Sequence, residues 1–345
     1  MKVCIYFEGI DNIKTSGIGR AYRHQVEMCQ QMGIDYTTDY KDTYDILHIN
    51  TIFMKSGRAI HYAKKQNAKI IYHAHSTKED FENSFRLSNL VAPLFKQWLI
   101  HLYSMADLII TPTAYSKSLI EGYGISKPTY ALSNGIDIAQ YAPNKDKEAL
   151  FRDYFQLTED EKVFISVGFW FKRKGILDLI ETARQLSQYK FIWFGKINEN
   201  AIPKEIRQAL KHAPDNCIFP GYIDGDIIKG AFSGATGFVF MSYEETEGIV
   251  VLEALASKQA VIIRDIPVYS DWLEDGVNVF KAHSIDEFKE RINYLANNDT
   301  TNLRQAGYQV ALSKDIPNIS KELQQIYQAA LEMDKEDTQE SAYLS

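Results

Sequence analysis

The sequence predicts an α/β protein made of two Rossmann-like, doubly wound domains facing a central cleft, and three observations carry that prediction. Short β-branched runs alternate with amphipathic helical stretches, the pattern of βαβ units around parallel sheets. The alternation pauses in a polar, proline-containing stretch at residues 134–146 and then starts again. The 345 residues, 45% apolar and 12% aromatic, suffice for two globular domains with separate cores.

Taken in order, the first half offers strands at residues 3–7, 46–49, 70–73, 108–111 and 129–132. The second half offers 163–167, 191–194, 217–219, 237–241 and 260–263. This reading sets an N-terminal domain at 1–140 and a C-terminal domain at 141–318. The remainder, 319–345, is a helix with the length to cross back to the first domain, ending in an acidic tail over 332–340 that frays.

Composition narrows the functional classes. Cys4, Cys29 and Cys217 are too few and too scattered for a disulfide framework, and none forms a C-x-x-C pair for zinc or redox work. The opening MKVCIYFEGI turns acidic after one apolar run, the form of a first strand rather than of a leader. No stretch approaches the roughly 20 apolar residues that cross a bilayer, so the expectation is a cytoplasmic or peripherally attached chain. The net charge of −7 is uneven: residues 1–137 sum to about +2 and the rest to about −9. Nucleic acid is a poor partner for such a chain. The basic cluster Lys55, Arg58, Lys64, Lys65 and Lys69 suits either an anionic lipid surface or a solvated helix face.

Ser16-Gly17-Ile18-Gly19-Arg20 follows the first strand and opens a helix. Glycine lets backbone N–H groups approach a ligand, and a helix N-terminus favours a diphosphate. The same pattern is also that of a simple tight turn. A complete G-x-G-x-x-G is missing, which disfavours a nicotinamide dehydrogenase. A second anchor, from Tyr243 to Ala256, runs from a strand end through the Gly248 turn into a helix, with Glu245 and Glu253 separated by seven residues.

That second anchor resembles the E-x7-E signature of retaining GT-B glycosyltransferases, in particular family 4. The resemblance implies that Glu245 holds the donor sugar, that Gly248, Ile249 and Val250 meet its diphosphate, and that Glu253 binds ribose. Gly168-Phe169-Trp170-Phe171-Lys172-Arg173-Lys174-Gly175 is similar to the family's G-R-x-x-x-x-K-G clamp. Lys174 matches the family lysine, Phe169 stands at its arginine, and neighbouring Arg173 is the candidate to supply that charge. Asn134-Gly135-Ile136-Asp137 is similar to the motif closing the family's first domain. His75, in His73-Ala74-His75-Ser76 at a strand end, matches the histidine the family places beside the anomeric centre, with His73 partly buried in the strand.

Asp224-Gly225-Asp226 has the D-x-D form of a metal-binding motif, but its place after a strand reads as an N-cap by one of the aspartates. No metal and no cofactor are expected. At residues 89–103, Leu90, Val91, Leu94, Phe95, Trp98, Leu99 and Leu102 read as one apolar helix face, with Lys96, Gln97 and His101 elsewhere. Such a face suits a core-facing Rossmann helix or a membrane interface.

Longer strings, among them SGIGRAYRHQ, YHAHSTKEDFENSF, SNLVAPLFK and YEETEGIVVLEALA, resemble the Gram-positive diglycosyldiacylglycerol synthases, whose products are bilayer glycolipids and lipoteichoic acid anchors. The implied activity is retaining transfer of an α-hexose, galactose slightly ahead of glucose, from a UDP-sugar to monoglucosyldiacylglycerol. The implied location is peripheral, on the cytoplasmic face of the membrane. Glu245, His75 and Lys174 would be catalytic, Gly17 and Arg173 would join the donor site, and Lys55, Arg58, Lys64, Lys65, Lys96 and Trp98 would face acceptor and membrane. A family 4 transferase acting on a soluble or polyprenyl-linked glycan, and a nucleotide-sugar epimerase or hydrolase of the same fold, are the competing readings.

Overall fold

The computed structural model describes residues 1–9 and 16–343, with side chains as far as residue 333. In chain order the first elements are β1 (Lys2–Tyr6), α1 (Gly17–Gln31), β2 (Asp35–Thr37), β3 (Ile46–Ile49), α2 (Ser56–Lys65), β4 (Lys69–His73), the single turn α3 (Lys78–Phe81), α4 (Ser88–Tyr103), β5 (Leu108–Thr111), α5 (Ala114–Glu121) and β6 (Thr129–Ala131). There follow α6 (Ile138–Tyr141), α7 (Lys145–Tyr154), β7 (Val163–Val167), α8 (Ile176–Gln185), β8 (Lys190–Phe194), α9 (Lys204–Lys211), β9 (Cys217–Gly221) and α10 (Asp226–Gly234). The last are β10 (Gly237–Phe240), α11 (Ile249–Ala256), β11 (Val261–Arg264), β12 (Phe280–Ala282), α12 (Ile285–Asn297), α13 (Thr301–Ser313) and α14 (Ile316–Tyr343). Two parallel six-stranded sheets result, ordered β2-β1-β3-β4-β5-β6 and β12-β11-β10-β7-β8-β9.

The chain separates into two compact units, and the division is not linear. One unit holds Met1–Lys78, Pro93–Gly135 and Lys314–Ser345; the other holds Glu79–Ala92 and Ile136–Ser313. The short excursion at Glu79–Ala92 has no counterpart in the boundaries read from sequence. It matters below, because it carries contacts to the second unit's site.

In the first unit, strand alternation sends successive residues to opposite, equally buried faces. Cys4, Leu47, Ile49, Ile70 and Tyr72 face one core with Leu99 and Leu102 of α4. Val3, Ile5, Ile46, Ile71 and Ile110 face the other, whose cover includes Met28 of α1 and Ile319, Leu323, Ile326 and Tyr327 of α14. The last helix of the chain therefore completes a layer of the first sheet. The acidic stretch expected to fray lies within α14, which extends to Tyr343. In the second unit, Phe164, Phe191, Trp193, Val239 and Ile262 build the core with Leu179 of α8 and Phe288 of α12.

Ten strands coincide with the sequence expectation to within two residues at each end. The two that it misses, β2 and β12, are three-residue strands at the sheet edges. Both are too short to show a period. The expected linker at 134–146 holds α6 and the start of α7, capped by Asp137, which accepts from the Gln140 N–H at 3.0 Å, and by Asn144, which accepts from the Lys147 N–H at 3.1 Å.

The single apolar face expected on α4 is corrected. Leu99 and Leu102 are buried, whereas Leu90 and Leu94 are 76% and 72% exposed. Leu90 and Leu99 are nine positions apart, which at about 100° per residue places them on opposite sides of the helix. The apolar arc is wider than the surface that packs, so its N-terminal part faces outward.

Because α14 closes one core layer, Leu323→Ala should lower stability by roughly 2–5 kcal/mol, while Glu322→Ala, one exposed position away, should change it by less than about 0.5 kcal/mol. Urea unfolding followed by circular dichroism measures both, and equal effects would count against this role for α14.

Candidate functional site

The second unit's site starts from a glycine. After β7 the chain crosses to a 3₁₀ turn at Lys172–Lys174 that ends in Gly175, with φ at +75°. A Cβ there would stand 2.3 Å from the Met241 carbonyl oxygen, so only glycine lets this turn lie against the end of β10. That approach sets Lys174 beside Glu245. The Lys174 ammonium donates to Glu245 Oε1, and the Ser242 hydroxyl donates to the same oxygen at 2.6 Å. Glu245 is buried. Burial pushes its carboxyl upward, but the Lys174 and Arg173 charges and these hydrogen bonds outweigh that, and it is held below its ordinary value. For Lys174 burial prevails over the pull of Glu245, and the ammonium is held below the usual lysine range.

Immediately beyond, Gly248, at φ +86°, begins α11, and a Cβ on it would stand 2.7 Å from the Tyr269 hydroxyl. The first-turn amides of α11, among them Ile249 and Val250, lack intrahelical acceptors and carry the positive end of the helix dipole. Eight positions after Glu245, Glu253 lies inside this helix, buried, and accepts from the Tyr141 hydroxyl of α6 at 2.7 Å.

Arg173 is held from every side. Its guanidinium lies 2.9 Å from Asp80, donates to the Ser84 hydroxyl at 2.7 Å and to the Glu244 carbonyl at 3.0 Å, and stands 3.9 Å from Glu245. Its own N–H donates to the Asn83 carbonyl, and its carbonyl accepts from the Tyr243 N–H. Burial raises the Asp80 carboxyl despite Arg173 and Lys174 nearby. Arg173 thus fixes both the Glu79–Ala92 segment and the loop carrying Glu245, with its charge already matched by Asp80. Phe169, at the position of the family arginine, packs on the apolar core and touches Phe171 with ring centroids 5.6 Å apart.

In the first unit, His75 belongs to a buried polar ladder at the carboxyl ends of β3 and β4. The Tyr327 hydroxyl meets His48 Nδ1 at 2.7 Å, and His48 Nε2 meets His73 Nδ1 at 3.2 Å. Gln25 bridges His73 Nδ1 and Asn50 Oδ1, both at 2.8 Å, and Asn50 Oδ1 meets His75 Nε2 at 2.9 Å. Those partners assign the proton of His75 to Nε2 and leave Nδ1 as its acceptor atom. The rings of His73 and His75 stack at 4.0 Å. His73, expected to be partly buried, is almost fully so. Gly17 is exposed at the start of α1, capped by the Ser16 hydroxyl, which accepts from the Gly19 N–H at 3.3 Å.

Lys55, Arg58, Lys64 and Lys65 are exposed on or just before α2. Lys96 and Trp98 are engaged by the chain itself: the ammonium sits 4.3 Å from the centre of the Tyr123 ring, and the indole N–H donates to the Ile52 carbonyl at 2.7 Å. In Asp224-Gly225-Asp226 the cap position falls on Gly225, and no side chain caps the helix. This corrects the expected aspartate cap, since Asp226 already lies in the first turn and pairs with Lys147 at 2.9 Å.

Residues 147–310 match the model of the glycosyl transferases group 1, and residues 39–140 match that of glycosyltransferase family 4. The chain is 46% identical, over 96% of its length and 99% of the relative's, to the processive diacylglycerol alpha-glucosyltransferase of Acholeplasma laidlawii. This chain belongs to the family 4 glycosyltransferases of the GT-B fold. It is also 24% identical, over 83% of its length and 78% of the relative's, to the alpha-galactosylglucosyldiacylglycerol synthase of Streptococcus pneumoniae. Among solved structures, Anabaena Alr3699/HepE in complex with UDP and glucose superposes with a TM-score of 0.75 at 18% identity, covering 95% of this chain and 99% of that one, a likeness of fold.

Within this glycosyltransferase the structure brings Lys174, Arg173 and Glu245 together and sets Gly248–Val250 on the following helix start. It also adds residues that sequence reading did not select: Asp80 and Ser84 on Arg173, Ser242 on Glu245, Tyr141 on Glu253, and Gln25, Asn50 and His48 behind His75. Only the strand-end positions of Ser242 and Asn50 carried a signal, since ligands of doubly wound folds gather there.

The buried histidines make stability depend on acid. Burial lowers His48 and His75 to about 3 and His24 to about 4. An unfolded histidine titrates near 6.5, so between these values the unfolded chain binds more protons than the folded one. Stability is fully present above about pH 6.5 and is lost as the pH falls towards 3, on the order of 1 kcal/mol per histidine per pH unit. Urea midpoints at pH 7.5 and 5.5 should therefore differ, and His48→Gln should shrink the difference; a flat profile would contradict the buried neutral ladder.

Proposed function

We propose that this glycosyltransferase moves an α-hexosyl residue, with retention, from a UDP-sugar to a diacylglycerol-based lipid at the cytoplasmic face of a membrane. The observation that carries this reading is the buried Lys174–Glu245 pair set directly before the N-terminus of α11. Without donor, Arg173 and Lys174 are balanced by Asp80 and Glu245. A donor diphosphate adds negative charge that Lys174 and the amides of Gly248, Ile249 and Val250 are suited to receive, leaving Glu245 to accept from sugar hydroxyls. The acceptor hydroxyl oxygen bonds to the anomeric carbon as the bond from that carbon to the β-phosphate oxygen breaks, and its proton passes to the departing phosphate. No metal is required in this scheme, because Lys174 and the helix start offset the charge that develops on UDP. His75 Nδ1 and Gly17 are assigned to the sugar and the phosphate, and Glu253 to the ribose through the carboxylate that now holds Tyr141.

Two relatives support the lipid acceptor, being named for diacylglycerol glycosides. The lean towards galactose gives way to glucose, since the relative at 46% identity is named an alpha-glucosyltransferase. The acceptor extends to diacylglycerol beside its monoglucosyl form, because that relative is named as processive. No helix among the described residues is long and apolar enough to cross a membrane, which is consistent with attachment from one side.

The test combines UDP-glucose or UDP-galactose with diacylglycerol or monoglucosyldiacylglycerol and identifies the lipid product. Lys174→Ala and Glu245→Gln should each reduce kcat by roughly 10²–10³ while the protein remains folded. Near-normal turnover in both variants would remove the site assignment, and transfer only to water-soluble or polyprenyl-linked glycans would remove the acceptor.

A further inference from the structure

The polar side chains at the carboxyl ends of β3 and β4 meet two amides whose hydrogen bonds answer each other. Asn50 stands one residue past β3, and Gln25 lies on the buried face of α1. The Asn50 amide nitrogen donates to Gln25 Oε1 at 2.7 Å, and Gln25 Nε2 donates to Asn50 Oδ1 at 2.8 Å. Both side chains are buried, so turning either amide alone would set N–H against N–H and oxygen against oxygen with no water to help. The pair can turn only as a unit.

This pair dictates where the protons of the histidine ladder stand. Burial holds His48, His73 and His75 below the usual histidine range, so at neutral pH each ring is uncharged and carries one proton. An amide N–H only donates, so Gln25 Nε2, 2.8 Å from His73 Nδ1, requires that nitrogen to be bare and places the ring's proton on Nε2. His48 Nε2, 3.2 Å from the same bare nitrogen, then carries the proton of its own ring, and the Tyr327 hydroxyl donates to His48 Nδ1 at 2.7 Å. At the other end an amide oxygen only accepts, so His75 Nε2 donates to Asn50 Oδ1 at 2.9 Å and His75 Nδ1 stays bare. The orphan of the ladder has the same origin. His73 Nε2 is buried without a partner, and with Gln25 donating to Nδ1 the proton of that ring has nowhere else to stand. Turning both amides together would aim the Asn50 N–H at His75 Nε2 and move the His75 proton to Nδ1.

We propose that Gln25 and Asn50 are positioning residues that fix the tautomer of His75, so that its bare Nδ1 accepts from a hydroxyl of the donor sugar. The inference rests on the sugar contact assigned to His75 above. A ring protonated at Nδ1 would offer a donor in its place, and the sugar hydroxyl would lose the partner for its proton.

The experiment uses the full chain with isotope-labelled histidine, whose ring nitrogens report by NMR which of them carries the proton; the His75 signals are those missing from His75→Ala. In the wild type His75 should be protonated at Nε2. Asn50→Leu removes the accepting oxygen and Gln25→Leu frees Asn50 to turn, so both should lose the single Nε2 form of His75. Each should lower kcat roughly 10–100-fold, the scale on which outer partners that orient a histidine act, and leave KM for the lipid acceptor unchanged. Asn50→Asp keeps an oxygen that accepts from His75 Nε2 and should retain that form and most of kcat. Equal losses in Asn50→Leu and Asn50→Asp, with the tautomer unchanged in both, would make Asn50 a merely structural residue and overturn the proposal. Should the leucine variants not fold, the wild-type spectrum still decides, because a proton on His75 Nδ1 overturns it alone. Near-normal kcat in His75→Ala would overturn the sugar contact and leave the proton map standing. A low kcat there, beside wild-type kcat in both leucine variants, would overturn the positioning and leave the sugar contact.

Discussion

Most of what is particular to this protein depends on one buried ion pair, Lys174 with Glu245. Taking an ammonium and a carboxylate out of water is costly unless they meet in good geometry with further hydrogen bonds. Here the Ser242 hydroxyl supplies one, and Arg173 with Asp80 completes a balanced group of four charges. The geometry depends on Gly175, since any side chain there would collide with the end of β10 and push the lysine turn away. The pair is therefore as much a product of backbone packing as of its own attraction.

Its electrostatics bear on the proposed donor site. Burial holds Lys174 below its usual range, whereas the cations beside Glu245 stabilise its carboxylate and hold it below its ordinary value. In the proposed reading, donor phosphates would take over the ammonium and sugar hydroxyls the carboxylate. The start of α11 adds its oriented amides to the same end of the sheet, which is where doubly wound folds bind nucleotides.

The first unit solves a different problem with similar means. Its sheet is buried on both faces, so polar side chains on its strands turn to one another, and His48, His73 and His75 are tied together through Gln25, Asn50 and Tyr327, with His73 Nε2 left without a partner. Such a ladder fixes the orientation of His75 at the cost of sensitivity to acid. Tyr327 comes from α14, so the last helix of the chain both closes the core and contributes to the ladder.

The sequence by itself determined the two sheets, because long β-branched runs buried on both faces can hardly be anything else, and the edge strands escaped it because three residues show no period. It also determined which residue types stand in the Glu245 loop and the Lys174 turn and at what spacing, which the backbone between strand and helix then brings together. The partners of Arg173 were out of its reach, since Asp80 and Ser84 lie about ninety positions away and no local pattern announces a long-range ion pair. Nor could it decide which side of α4 is covered: Leu90 and Leu99 are the same residue type in one helix. Only the packing of neighbouring elements sends one to the core and the other outward.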